Sequence, residues 1–177
     1  MDMTGEQRIG ATQQAVWAAL NDAEVLRQSI PGCESLEKLS DTEMAAKVKL
    51  QIGPVRANFS GKVTLSDLDP PNSYRISGEG SGGAAGFAKG GAVVRLSEDG
   101  GATLMRYEVK ADVGGKIAQL GGRLIDATAK KLADEFFQKF TTIVGGGGPA
   151  ADAAPAQKKK GWFKRWFGRK QKSRASA

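Results

Sequence analysis

The chain has 177 residues, room for one domain and an appendage. It carries 26 basic and 19 acidic side chains, one cysteine and no histidine, for a net charge of +7. The missing histidine excludes Ser-His-Asp and Cys-His triads and the common histidine-containing zinc sites within this chain. The single Cys33 permits no internal disulfide, and a small buried or turn-packed thiol is its expected state.

The N-terminus, Met1-Asp2-Met3-Thr4-Gly5-Glu6, lacks the charged-then-apolar pattern of a secretory signal. Residues 3–11 read as a strand. Thr12 is the expected N-cap of a helix over Gln13–Leu20, where Ala15, Val16, Ala19 and Leu20 recur at helical spacing. Asn21-Asp22 then caps a second short helix that runs to about Gln28, and Pro31-Gly32 ends it. From Glu34 to Val113 the period falls to two. Val48, Leu50 and Ile52 alternate with lysines and a glutamine, and Val55, Ala57, Phe59, Gly61, Val63 and Leu65 continue the alternation after a turn or bulge at Gly53-Pro54. Further strands hold Tyr74 and Ile76, then Val94 and Leu96, then Thr103, Met105, Tyr107, Val109 and Ala111 on one face. Turns at Asp69-Pro70-Pro71-Asn72 and Asp99-Gly100-Gly101 separate them, so the segment predicts an antiparallel meander of about six strands. A long helix is predicted from about Gly115 to Ile143, with Leu120, Leu124, Leu132, Phe136 and Phe140 as its apolar stripe. The fold class is α+β, with one long helix laid on a curved antiparallel sheet.

Gly78, Gly80, Gly82, Gly83, Gly86, Gly90 and Gly91 crowd one part of the meander. A phosphate-binding loop would need a helix after the glycines, and here strands flank them on both sides. The glycines permit strong bending or leave a hollow under the helix, or they mark a mobile hairpin.

The expected organisation is a domain over residues 1–144, a Gly/Ala/Pro linker over 145–157 and a basic tail over 158–177. The domain part is long enough to bury a full core unaided. The tail holds nine of the basic residues and no acid, leaving 17 basic against 19 acidic side chains in residues 1–157. Trp162, Phe163, Trp166 and Phe167 fall within an arc of roughly 140° on a helical projection, and Lys164 and Arg165 lie off it. With Lys158, Lys159, Lys160, Arg169 and Lys170, they form a cationic segment with an aromatic face, suited to a membrane interface. Four half-buried rings contribute on the order of 3–6 kcal/mol gross, and each cation near an anionic leaflet adds about 1 kcal/mol. The sum fits reversible docking. A solvated end, a protein-docking segment and a single-strand nucleic-acid arm are the alternatives; the gathering of the rings on one side favours lipid over nucleic acid. No run reaches 18 apolar residues, so a cytoplasmic protein, peripheral on the cytoplasmic face of the inner membrane, is expected.

Several segments carry a family resemblance. They are Ala15-Val16-Trp17-Ala18-Ala19-Leu20-Asn21-Asp22, Ile30-Pro31-Gly32-Cys33, Ile52-Gly53-Pro54-Val55, Phe59-Ser60-Gly61-Lys62-Val63, Gly86-Phe87-Ala88-Lys89-Gly90 and Gly114-Gly115-Lys116-Ile117-Ala118-Gln119-Leu120-Gly121. From about Met3 to Phe140 the chain resembles the CoxG family of carbon monoxide dehydrogenase proteins, a branch of the START-like, helix-grip superfamily. The resemblance implies a sheet gripping a long C-terminal helix with an apolar cavity between them. It implies no catalytic motif. It also implies association with a molybdenum-containing carbon monoxide dehydrogenase or related hydroxylase, which the protein would help to reach the membrane.

Val48, Leu50, Phe59, Phe87, Met105, Tyr107, Leu120, Leu124 and Phe136 are the candidate cavity residues, with plain core packing as the alternative for each. A soluble electron-producing enzyme needs an acceptor, and a tethered apolar pocket suits a respiratory quinone, ubiquinone or menaquinone. Tyr107 is the candidate donor to its headgroup. No covalent cofactor and no metal are expected. Three classes remain: an adaptor carrying quinone, an adaptor without ligand, and a lipid-binding or cyclase-type protein of related fold. An enzyme would need convergent titratable groups, which these positions lack.

Overall fold

A computed structural model describes residues 1–145. The tail and all of the linker after Gly145 lie outside the described residues, and with them the membrane-binding segment expected at Lys158–Lys170.

Strand β1 (Asp2–Ile9) is followed by α1 (Gln13–Leu20) and α2 (Ala23–Ser29). The meander then comprises β2 (Cys33–Lys38), β3 (Glu43–Ile52), β4 (Val55–Asp69), β5 (Ser73–Ser81), β6 (Phe87–Asp99) and β7 (Ala102–Gly114). The last described element is α3 (Gly122–Val144). All seven strands form one antiparallel sheet in the order β1-β7-β6-β5-β4-β3-β2. The two short helices therefore carry the chain from one sheet edge to the other. Their starts are the expected ones: Thr12 Oγ1 accepts from Ala15 N–H at 3.2 Å, and Asp22 Oδ1 accepts from Glu24 and Val25 N–H at 2.9 and 3.2 Å. The Arg27 guanidinium and the Gln28 amide, both bonded to Glu24, hold its carboxyl down at about 2.

The helix predicted from Gly115 is interrupted. Lys116–Leu120 forms a separate 3₁₀ turn, and α3 begins only at Gly122. Gly121 has φ of +95°, outside the helical region, and so breaks the continuity that the Leu120/Leu124 spacing suggested.

Large side chains fill one end of the molecule. Phe137 and Phe140 from the last turns of α3 pack with Ile9, Val16, Leu20, Met44, Leu65, Tyr74, Val94, Leu96 and Met105. Phe136 stacks on Phe140 at 5.4 Å, and Trp17 meets Tyr74 edge to face at 5.3 Å. A second, smaller cluster of Val55, Ala85 and Ile117, with Ile52, Phe59 and Leu120 against it, closes the other end.

Candidate functional site: an apolar cavity under the long helix

Between the two clusters lies a cavity of about 650 Å³, within the range of roughly 300–1,000 Å³ typical of small-molecule sites. Its origin is visible in the strand register. One inward-facing row runs Ala46–Gly61–Gly80–Ala88–Val113 across β3 to β7, and the next runs Met44–Val63–Gly78–Gly90–Ala111. All but Val113, Met44 and Val63 in these two rows are glycine or alanine, so in the middle of the sheet nothing rises to meet the helix. The helix adds small residues at three of its six cavity positions. Ile125, Thr128, Ala129, Leu132, Ala133 and Phe136 face the cavity at the i, i+3, i+4, i+7 spacing of one helix face. Small residues on both sides keep the helix and sheet from meeting there. Gly90 also lets β6 approach β7 closely, since a Cβ there would come within 2.7 Å of Ala111 Cα.

The walls are almost wholly apolar. Lys62, Glu79, Lys89 and Lys110 border the cavity, but their side chains occupy exposed, outward positions of the strand alternation. Thr128 lines the wall, and its hydroxyl donates to Leu124 O at 2.8 Å. Among the described residues no group of His, Cys, Asp or Glu is arranged to hold a metal. A space of this size would hold about 20 waters at bulk density, and walls with so few polar partners favour an apolar occupant.

Of the nine candidate residues, Val48, Leu50, Phe59 and Phe136 border this cavity. Five do not. Met105 is buried in the packed end. Tyr107 is on the inward face but leans across β1: a Cβ on the opposed Gly5 would fall within 2.8 Å of three atoms of its phenol. Its ring stacks on Phe137 at 5.3 Å, and burial, reinforced by the Asp134 carboxylate, pushes its phenol pKa up. Phe87 belongs to the outward phase of β6, is 51% exposed and lies against Gly114. Leu120 packs in the second cluster, and Leu124 points at Gly53 in the β3–β4 turn. The donor expected of Tyr107 is therefore absent from the wall. Ile125, Thr128, Ala129 and Ala133 escape a reading of the sequence, because alanine and threonine do not stand out in a hydrophobic stripe. Their i, i+3, i+4 spacing is the signal that could find them. Cys33, at the start of β2, is half-buried, and burial raises its thiol pKa.

A sheet curved around one long helix, with two short helices after its first strand, is the helix-grip arrangement. A family model for the CoxG subunit of carbon monoxide dehydrogenase matches residues 5–145. The chain belongs to the CoxG family. This CoxG chain is similar to a conserved protein from Geobacillus kaustophilus, at 29% identity and TM-score 0.78, covering 83% of this chain and 97% of that one. A START superfamily protein from Mycobacterium smegmatis shares 12% identity and TM-score 0.65 over 83% and 99% of the two chains. The Zhui aromatase/cyclase from Streptomyces sp. R1128 shares 10% identity and TM-score 0.61 over 87% and 99%. The last two show the START-like fold alone. No protein of curated function matches the CoxG chain in sequence. No helix among the described residues is long and apolar enough to cross a membrane.

Proposed function

We propose that this protein is a membrane-recruitment adaptor for a molybdenum-containing carbon monoxide dehydrogenase or a related molybdenum hydroxylase. It holds a neutral apolar redox carrier of the quinone class under α3 and passes it between membrane and enzyme. The observation that carries this reading is the cavity of about 650 Å³ floored by Gly and Ala rows in a chain of the CoxG family. The family supplies the partner; the apolar walls favour a lipid-phase ligand over a charged substrate.

Among the described residues the cavity has no inward carboxylate, cysteine or lysine to act as acid, base or nucleophile, which supports a carrier over a cyclase. A quinone carbonyl accepts hydrogen bonds. Among the described wall residues Thr128 is the one with a side-chain hydroxyl, and its single proton is engaged by Leu124 O. To hold a headgroup it would turn from that carbonyl to the ligand. The cationic, ring-bearing segment at Trp162–Phe167 serves as the membrane anchor in this reading.

Organic extraction of the purified full-length protein, followed by mass spectrometry, and melting with added menaquinone or ubiquinone test the ligand. Extracts containing quinone, and a quinone-induced rise in melting temperature, are expected. An extract free of quinone together with an unchanged melting temperature overturns the carrier half and leaves an adaptor without ligand. For the anchor, replacing Trp162, Phe163, Trp166 and Phe167 by Ala should abolish flotation with anionic vesicles; undiminished flotation would reject it.

A further inference from the structure

The domain is electrically polarised along α3. At the end that starts α3, the connections over residues 53–58, 82–87 and 113–124 carry Arg56, Lys116 and Arg123 and no acid. At the opposite end, the turns over residues 39–43, 67–72 and 97–101 carry Asp41, Glu43, Asp67, Asp69, Glu98 and Asp99 and no base. Two of those acids are matched by arginines, Asp99 with Arg8 at 2.8 Å and Asp67 with Arg75 at 3.1 Å. The three basic residues are exposed, and among the described residues none of them makes an ion pair.

Three further observations fall at the basic end. A surface pocket of about 320 Å³ there has Arg56, Asn58 and Lys116 on its rim, with Pro54 and Gly82 beside them. Phe87, 51% exposed, starts β6 two residues after Ala85, which lines that pocket. The third connection contributes to the end wall of the apolar cavity, since Ile117 belongs both to the second cluster and to the cavity lining, as do Ile52 and Phe59 on either side of the first connection.

We propose that this basic end is a docking surface for an anionic lipid bilayer, with Arg56 and Lys116 receiving lipid phosphates at the pocket and Phe87 entering the interface. The inference deepens the carrier reading, and rests on it only for the purpose of the contact. Cations that make no ion pair among the described residues, beside an exposed ring, match an anionic interface in charge and in polarity, with Asp112 and Asp126 at the margins of the third connection as the nearest acids along the chain. The acidic end is repelled from the same surface, so the domain is oriented, with its cavity wall against the lipid. The tail is compatible with this pose. It leaves from the far end of α3, about 35 Å away along a helix of 23 residues. The chain from Gly145 to Lys158 spans up to about 43–47 Å, enough to bring the tail back to the same plane.

The test uses the full chain with Cys33→Ser and Phe87→Cys, carrying a nitrobenzoxadiazole probe on the new thiol. Vesicles of phosphatidylcholine with phosphatidylglycerol should blue-shift and brighten the probe, and phosphatidylcholine alone should not. One cation near an anionic surface shifts the docked ratio about fivefold. Arg56→Glu with Lys116→Glu should therefore lower it at least about 25-fold, while flotation through the tail persists. A silent probe on protein that floats overturns the proposal, because the domain then merely hangs from its tail. An unchanged probe response in the double variant overturns it also, and so does a response to single-stranded DNA with none to vesicles. If the aromatic-to-Ala tail variant stops floating at low vesicle concentration while its probe still responds at high concentration, the docking surface and the tail anchor both stand; if it floats undiminished, the tail anchor falls and the probe response is still expected. A quinone-free cavity likewise leaves the probe response expected as stated.

Discussion

Residue identity at a few sites decides whether this domain has an interior. Ala129 and Ala133 face Gly and Ala rows across the cavity, so added side chains there enter open space instead of a packed core. Ala129→Leu with Ala133→Leu should abolish retention of extracted ligand while the melting temperature holds or rises; lost folding or retained ligand would contradict the cavity assignment. Tyr74 gives a second residue-level expectation. It is 4% exposed, and burial pushes its phenol pKa far up. The unfolded chain ionises near pH 10 and the folded chain does not. This residue's contribution is thus fully present below that pH and lost as pH rises above it. Tyr74→Phe should flatten the alkaline fall of stability, measured by denaturant titration on either side of pH 10.

At the scale of elements, α3 is two helices in one. Its C-terminal turns bring Phe136, Phe137 and Phe140 into a packed aromatic group, and its N-terminal turns bring alanine and threonine to a void. The junction before it is a backbone contact. Gly115 has φ of +79°, and a Cβ there would lie 2.6 Å from Gly86 Cα. Gly115→Ala should lower stability by about 1–3 kcal/mol, the cost of forcing a side chain into such a conformation, read as a reduced urea midpoint. The same contact explains why segments around Gly86 and Gly114-Gly115 are both needed: they meet, although nearly thirty positions separate them in sequence.

At the scale of the molecule, packing and charge run along one axis. The acidic end holds the aromatic core, and the basic end holds a thin wall in front of the cavity. Local opening follows apolar contact density. Amide hydrogen exchange should therefore be slower over the C-terminal half of α3 than over its N-terminal half, and a ligand should protect the latter selectively. Uniform protection along α3 would contradict a split interior. The succession of elements along the chain, the caps at Thr12 and Asp22, and the presence of a long helix with an apolar stripe were legible in the chain, because each is set by residues within a few positions of one another. The inward phase of Val48, Leu50 and Phe59 followed from alternation for the same reason. Tertiary structure decided the rest. Tyr107 leaves the cavity because Gly5 opposite it makes room, and the void exists because small residues far apart in sequence were brought face to face. Local spacing fixes which way a side chain starts; only the paired strands and the helix above them fix whether anything occupies the space it enters.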